Sequence, residues 1–427
     1  MQTSIDWIDP LTLVTAIAET ERFFVLLYSG MRSDYTGRYS YLALRPEEHI
    51  TGNDFTALAA ALTVQAPTLH DRWFGYLGYG LGHSLETLPP SIPSSITPPP
   101  LWMIRYRLVL VFDHDKHHIT VFAKNKRELH YLPVVSNSVS PTKIPHIITL
   151  SSNMSKAAYL DRLAIIKQAI NNGELYQANL TRKFFGTIKY ADPIGLFKAI
   201  CAISPAPYSA LLRYDNSTLI SSSPEQFIHL DNNEAVSRPI KGSAPRFIDS
   251  KQDAQSKAAL IESEKNRAEN LMIVDLMRND LARSCIPGSV KVSSLFDCTS
   301  YATIHHLSST VTGTKRSDLT ALDLIKGCFP PGSMTGTPKI KAMELCAQLE
   351  AQERGIYSGC LGWMERNTAD LSVVIRTLIL QDNKYEFQVG GAIVADSVAE
   401  EEWQETLTKA KAIANVLGIS QAALEAL

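Results

Sequence analysis

Cysteine is scarce in this chain. Its six cysteines, at 201, 285, 298, 328, 346 and 360, lie far apart and form no Cys-x-x-Cys, so neither a zinc ribbon nor a redox pair is indicated. A chain of 427 residues buries enough surface to fold without a disulfide framework. Long apolar runs are missing too. The longest, such as 23–28 and 108–112, are strand-sized and too short to span a bilayer. The start has no basic segment and carries Asp6 and Asp9, unlike a secretory signal. Basic clusters are absent and the net charge is −2, which leaves no electrostatic footprint for nucleic acid. The expectation is a cytoplasmic protein with neither membrane nor nucleic-acid partners.

What is present is ordinary globular composition, 45% hydrophobic and 20% charged, over a length that suggests two regions, 1–150 and 151–427. Residues 88–101 are rich in proline, and 136–145 in serine and proline; both read as loops. Segments 106–112 and 119–123 flank Asp113-His114-Asp115-Lys116 as a hairpin. Ser155 caps a helix carrying Tyr159, Leu163, Ile166 and Ile170, and Gly173 ends it. Strands follow near 208–214 and 218–222, then one long helix over about 251–283, with Ala268, Leu271, Met272 and Asp275 along one side. Segments 371–380 and 385–389 form a second hairpin, and a last helix covers 399–417. Strands and helices mix without a βαβ rhythm, which predicts an α+β fold.

Several residues carry chemistry. Lys241 sits between Ile240 and Gly242, shortly after Ser222-Ser223-Pro224-Glu225. An isolated Lys-Gly reads as a solvated turn; a lysine becomes a nucleophile only if burial or a neighbouring cation keeps it neutral. Glu262 and Glu269 are one heptad apart on the long helix, with Asn266 between them. The last helix carries Glu402 and Glu405, with Lys409 one turn on. Acidic helix starts are commonly solvated, but carboxylates from two helices brought together suit Mg²⁺. Arg376 lies inside an apolar segment and needs an anion, for which a planar guanidinium fits a carboxylate. Gly390-Gly391 opens the facing strand to close approach. The segment Pro331-Gly-Ser-Met-Thr-Gly-Thr-Pro-Lys339 lacks a Walker ending and by itself is only a loop. The adjacent His305 and His306 read as packing or hydrogen-bonding residues, since neighbours seldom face one ion.

Together, Ser-Ser-Pro-Glu225, Pro-Ile-Lys241-Gly-Ser, Arg267-Ala-Glu269-Asn-Leu-Met-Ile-Val-Asp, His305-His306-Leu, the Pro331–Lys339 segment, Ile375-Arg376-Thr, Gly390-Gly-Ala-Ile-Val and the Glu402/Glu405 helix resemble the chorismate-utilising enzymes. The resemblance covers about 155–415; before that it is loose, through Leu26-Leu27-Tyr28-Ser29-Gly30 and Gly37-Arg38-Tyr39-Ser40. It implies two β-sheets packed face to face with helices outside and the site between them. Gln177 stands where water-adding relatives carry an activating lysine, and an amide is no general base at neutral pH. Lys241 is the mark of the aminodeoxychorismate synthases, where anthranilate synthases carry a small residue. The rivals are therefore anthranilate synthase chemistry, with Lys241 a bystander, and a non-catalytic partner subunit of the same fold.

The resemblance further implies Lys241 as nucleophile, Glu225 as acid, and Mg²⁺ on Glu269 and Glu405 with Glu402 assisting. Asn266 replaces a residue often acidic in relatives. Arg376, Tyr357, Gly390 and Gly391 would hold the substrate, with His306, Lys409 and Gln177 around it. The substrates would be chorismate and ammonia. No Gly-x-Cys-x-Gly elbow is present, so ammonia is expected from solution or from a separate glutamine amidotransferase subunit. A tryptophan pocket in relatives maps to Ser29, Arg38, Tyr39 and Ser40. Tyr28 replaces its usual glutamate, which argues against feedback inhibition while leaving room for a structural tryptophan.

Overall fold

The computed structural model of the chain describes residues 1–17, 20–33, 35–63, 71–132, 145–301, 304–350 and 352–427. Two strands, Tyr39–Gly52 and Leu101–Asp113, are long enough to serve two sheets. They pair antiparallel from Tyr39↔Asp113 to Gly52↔Leu101, with an irregularity between Pro46 and Glu48. Such an irregularity bends a ribbon and sharpens its twist. On one side of the bend the sheet continues through Trp73–Leu77, Cys360–Met364, Ala369–Val373, Gln226–Asp231, Glu234–Arg238 and Ile304–Thr314. On the other it continues through Phe24–Tyr28, Tyr208–Tyr214, Ser217–Ser223, Thr377–Gln381, Lys384–Ile393 and Gln177–Lys189.

The two halves pack face to face. Val25, Leu212, Leu219 and Ile379 from one sheet share an apolar layer with Tyr76, Trp102, Ile104 and Leu361 from the other. Each outer face is covered by helices. Leu163, Phe197, Trp403 and Leu407 lie in one outer cluster, and Leu58, Ile273, Met277 and Leu324 in the other. This is the expected α+β sandwich with helices outside, made from one continuous hydrogen-bonded ribbon. Strands from before residue 150 form the middle of the ribbon, flanked on both sides by strands from after it. No helix of the described residues is long and apolar enough to cross a membrane.

Local signals hold where the determinant is local. The helix Lys156–Asn171 starts at Ser155, whose side chain accepts from the Ala158 amide, and Gly173 follows it at φ +75°. The hairpin around Asp113 pairs Asp113 with His118. The strands near 208–214 and 218–222 and the helix Ala399–Leu417 are present, and residues 88–100 are largely irregular. The loop read at 136–145 lies outside the described residues except for Pro145.

Two expectations are corrected. The long helix is two helices, Ser250–Glu262 and Glu264–Ala282, separated at Ser263. Ser263 is extended, at φ −62° and ψ 109°, and its Oγ accepts from the Asn266 amide at 3.3 Å. Glu262 therefore ends one helix while Asn266 and Glu269 begin the next. The second helix buries Ile273, Val274, Met277 and Leu281, leaving Leu271 51% exposed. Replacing Ser263 with alanine should lower stability by about 1 kcal/mol, the usual worth of a helix cap; an unchanged denaturation midpoint would show that packing alone holds the break.

The segment 371–380 is likewise not one strand. Ala369–Val373 belongs to one sheet and Thr377–Gln381 to the other, so residues 374–376 cross between them. Arg376 makes the turn at φ +49°, a left-handed conformation costly for a side chain with a Cβ. The crossing places its guanidinium at the seam of the sandwich rather than along a strand.

Candidate active site

A cavity of about 630 Å³ opens at this seam. Glu225 and Lys241 line one wall. Glu225 is held between strands, its carbonyl accepting from the Val373 amide at 3.0 Å. Burial raises its carboxyl above the usual range, against the Ser333 hydroxyl and the Lys241 ammonium, which lower it. Lys241 lies on the strand Ile240–Pro245, and its Nζ donates to the Ser333 carbonyl at 3.4 Å. Burial lowers its amine, opposed by Glu269 and Glu225. Both groups are thus pushed toward their neutral forms. Gly242 follows at φ +89°, where an added Cβ would stand 3.0 Å from the Asn266 side chain, so the strand can pass that helix only as glycine.

The segment that read as a loop supplies Ser333, which touches both reacting candidates. It is anchored from below. Lys339 Nζ donates to Asp280 Oδ2 at 2.6 Å and to the carbonyls of Cys328 and Pro330. Arg354, buried and paired with Glu350, donates to the Met334 carbonyl at 2.7 Å and to the Asn179 carbonyl at 2.7 Å.

Glu269, Glu402 and Glu405 line the same cavity. Glu402 accepts from Ser397 Oγ at 2.7 Å and lies 3.7 Å from Lys265 Nζ. Glu405 lies 2.6 Å from Lys409 Nζ, which also donates to the Gly390 carbonyl at 2.8 Å. Burial raises Glu269 and Glu402; it acts on Glu405 too, but the Lys409 ammonium prevails and holds that carboxyl low. A Cβ at Gly391 would stand 3.1 Å from Glu402 Oε2 and 3.6 Å from Glu405 Oε1. The glycine leaves room for two carboxylates to converge. No group of three such donors stands ready at metal spacing among the described residues, and Lys409 and Lys265 lie against Glu405 and Glu402. An all-carboxylate set nevertheless fits a hard divalent cation such as Mg²⁺, which takes one or two carboxylates and an anionic substrate.

Arg376 closes the cavity's end. Its Nη1 donates to Ser204 Oγ at 3.4 Å, and it has no ion-pair partner among the described residues. Buried His306 beside it is pushed down to about 3, by burial and then by the Arg376 charge, so its imidazole is neutral. Tyr357 is buried at the same cavity, and burial raises its hydroxyl.

The structure therefore gathers Glu225, Lys241, Glu269, His306, Tyr357, Arg376, Gly390, Glu402, Glu405 and Lys409 around one space. Gln177 and Gly391 do not line it. Gln177 is fully buried, with neither amide atom hydrogen-bonded, and Gly391 sits behind the carboxylates. Ser29, Arg38 and Tyr39 line a second cavity of about 790 Å³. Ser40 lies beneath it, 2.7 Å from His114 Nε2 and accepting from the Ser29 amide. Sequence reasoning missed Asn179, Gln388, Ser333, Lys265 and Ser204 as cavity residues. Asn179 shares a strand face with Gln177, which does not line the cavity, so the strand pattern gave no cue to it.

The family model of chorismate binding enzymes matches residues 23–415. Aminodeoxychorismate synthase component 1 of Salmonella typhimurium is 38% identical over 80% of this chain and 76% of its own length. Anthranilate synthase component I of Streptococcus pneumoniae superposes with a TM-score of 0.77 at 25% identity, covering 88% of this chain and 92% of that one. The menaquinone-specific isochorismate synthase of Escherichia coli gives a TM-score of 0.78 at 18% identity, covering 98% and 94%, a likeness of fold. With a site of this composition in the same sandwich, the chain belongs to the family of chorismate binding enzymes.

Proposed function

We propose that the chain is a first component of aminodeoxychorismate synthase, converting chorismate and ammonia to 4-amino-4-deoxychorismate. The observation that carries this reading is Lys241 in the reaction cavity, its charge disfavoured, with protonation-favoured Glu225 on the same wall. An amine and an acid perturbed in these directions are what nucleophilic displacement of a hydroxyl needs.

Chorismate presents two carboxylates, a diene ring and a C4 hydroxyl. Arg376, without an ion-pair partner among the described residues, receives the enolpyruvyl carboxylate, with Tyr357 and the Gly390 backbone beside it. Mg²⁺ held by Glu269 and Glu405, with Glu402 assisting, would neutralise the ring carboxylate and polarise the ring when bound. Neutral Lys241 Nζ adds to C2; both ring double bonds shift, the C4–O bond breaks, and the oxygen leaves as water with the Glu225 proton. Ammonia then adds at C4, the double bonds return, and the C2–N bond breaks to free Lys241. The new C4 ammonium returns a proton to Glu225, so the enolpyruvyl group is retained and the site is reset. Neutral His306 can hydrogen-bond in this space without adding charge.

Ammonia would come from a separate glutamine amidotransferase subunit, in the cytoplasm, as the component naming of the relatives suggests. Region 151–427 would carry the chemistry. Region 1–150 would contribute part of the lining of the second cavity, where Ser29, Arg38 and Tyr39 suit a structural tryptophan. Anthranilate formation is the second reading, and it leaves Lys241 without a role. A partner-only subunit would leave the whole charged cavity without one.

Incubation of the purified chain with chorismate, Mg²⁺ and ammonium at mildly alkaline pH tests the proposal by product mass. The expected product keeps the enolpyruvyl group and carries an amine in place of a hydroxyl. Anthranilate with free pyruvate would overturn the reading, as would the absence of turnover with ammonium in excess.

A further inference from the structure

One buried polar group in the reaction cavity has no task in the scheme above. Asn179 is 3% exposed, lines the cavity, and its Nδ2 has no hydrogen-bond partner among the described residues. Its backbone is fixed: the amide donates to the Thr335 carbonyl at 2.9 Å, and the carbonyl accepts from Arg354 at 2.7 Å. The side chain is thus the one part of the residue left open, on a rigid strand. Gln388, also 3% exposed, lines the same space; its Nε2 donates to Thr181 Oγ1 at 2.7 Å and its Oε1 has no partner. Burying an amide without partners is unfavourable, and neither residue can turn to solvent. Both are poised for a ligand group.

The polar groups of chorismate narrow what that group is. Arg376 and the acidic wall account for the two carboxylates, and an amide is a poor match for either beside full charges. Of the two polar groups left, the C3 ether oxygen can only accept, whereas the C4 substituent both donates and accepts, as an amide does. Asn179 stands on the appropriate side, because the same Arg354 guanidinium that holds its carbonyl holds the Met334 carbonyl, next to Ser333, which touches Glu225 and Lys241. We infer that Asn179, with Gln388 beside it, forms an amide subsite that hydrogen-bonds the C4 substituent of the ring, the hydroxyl as it leaves and the amine as it arrives. An amide suits both species, since its NH₂ donates to oxygen and its carbonyl accepts from N–H. This rests on the reaction proposed above.

The test compares Asn179→Leu, close in size but apolar, with Asn179→Ser, which keeps a donor. Ammonium-dependent kcat, chorismate affinity by titration in the presence of Mg²⁺, and the unfolding midpoint are measured on each. For Asn179→Leu, kcat should fall roughly 10- to 100-fold, with chorismate affinity within about threefold of wild type, because the carboxylate contacts carry binding. The midpoint should not fall, since no internal hydrogen bond of Nδ2 is lost. Asn179→Ser should recover part of the rate. Unchanged kcat, or a loss of affinity as large as the loss of rate, would overturn the inference. Wild-type product mass separates the two ideas. If wild type makes no 4-amino-4-deoxychorismate, the reaction is wrong; if it does and Asn179→Leu matches it, only the subsite is wrong.

Discussion

Replacing Lys241 with alanine is expected to reduce ammonia-dependent turnover of chorismate by about a thousandfold or more, roughly 4 kcal/mol of barrier, while chorismate still binds. In the proposed reaction Arg376 and the Glu269/Glu405 carboxylates would carry binding and are untouched by the change; what is lost would be the nucleophile that splits one hard displacement into two easier ones. The kinetic pattern should therefore be a loss in kcat carried equally into kcat/KM. Lys241→Arg should not restore the rate, since a guanidinium stays charged at any pH a protein survives. A second readout does not depend on turnover. Wild type quenched with chorismate but no ammonia should carry a protein adduct equal to chorismate less water, and Lys241→Ala should carry none. Turnover within tenfold of wild type would remove the covalent role and return anthranilate-type chemistry to consideration.

The two active-site walls were not equally legible in the residues. The last helix reads directly, because an apolar stripe at helical spacing fixes which way Glu402 and Glu405 face once Trp403 and Leu407 are buried. Glu269 reads less directly. Ser263 is flanked by good helix formers on both sides, so the break that separates Glu262 from the cavity is invisible until its hydroxyl is seen capping Asn266. Arg376 was legible as a buried cation in want of an anion, but its place was not. An apolar run says nothing about where a chain leaves one sheet for the other, and a left-handed arginine has no sequence mark. Ser333 was hidden for a related reason. A Gly-Ser-Met segment gains chemical meaning only when Lys339 and Arg354, neither of which lines the cavity, hold it against Glu225 and Lys241. The antiparallel alternation that makes an amphipathic strand easy to recognise fails on Gln177–Lys189, whose first eight residues are buried on both faces. Polar side chains such as Asn179 therefore stand where a strand pattern would predict only packing.

Converting Glu225 to glutamine should lower kcat by about 10²- to 10⁴-fold, the usual worth of a positioned general acid, and should change the shape of the pH profile as well as its height. In wild type the productive free enzyme has Glu225 protonated and Lys241 neutral. Burial moves both groups toward that state, raising the carboxyl and lowering the amine. Activity should rise with pH as the amine loses its proton and fall as the carboxyl loses its own, giving a bell in kcat/KM. The two groups interact, so the limbs belong to the pair rather than to either residue. In Glu225→Gln the group responsible for the falling limb is gone, and a single rising limb should remain. That limb should report Lys241 alone, no longer coupled to the Glu225 carboxyl. A bell with both limbs unchanged in the variant would show that another group donates the proton.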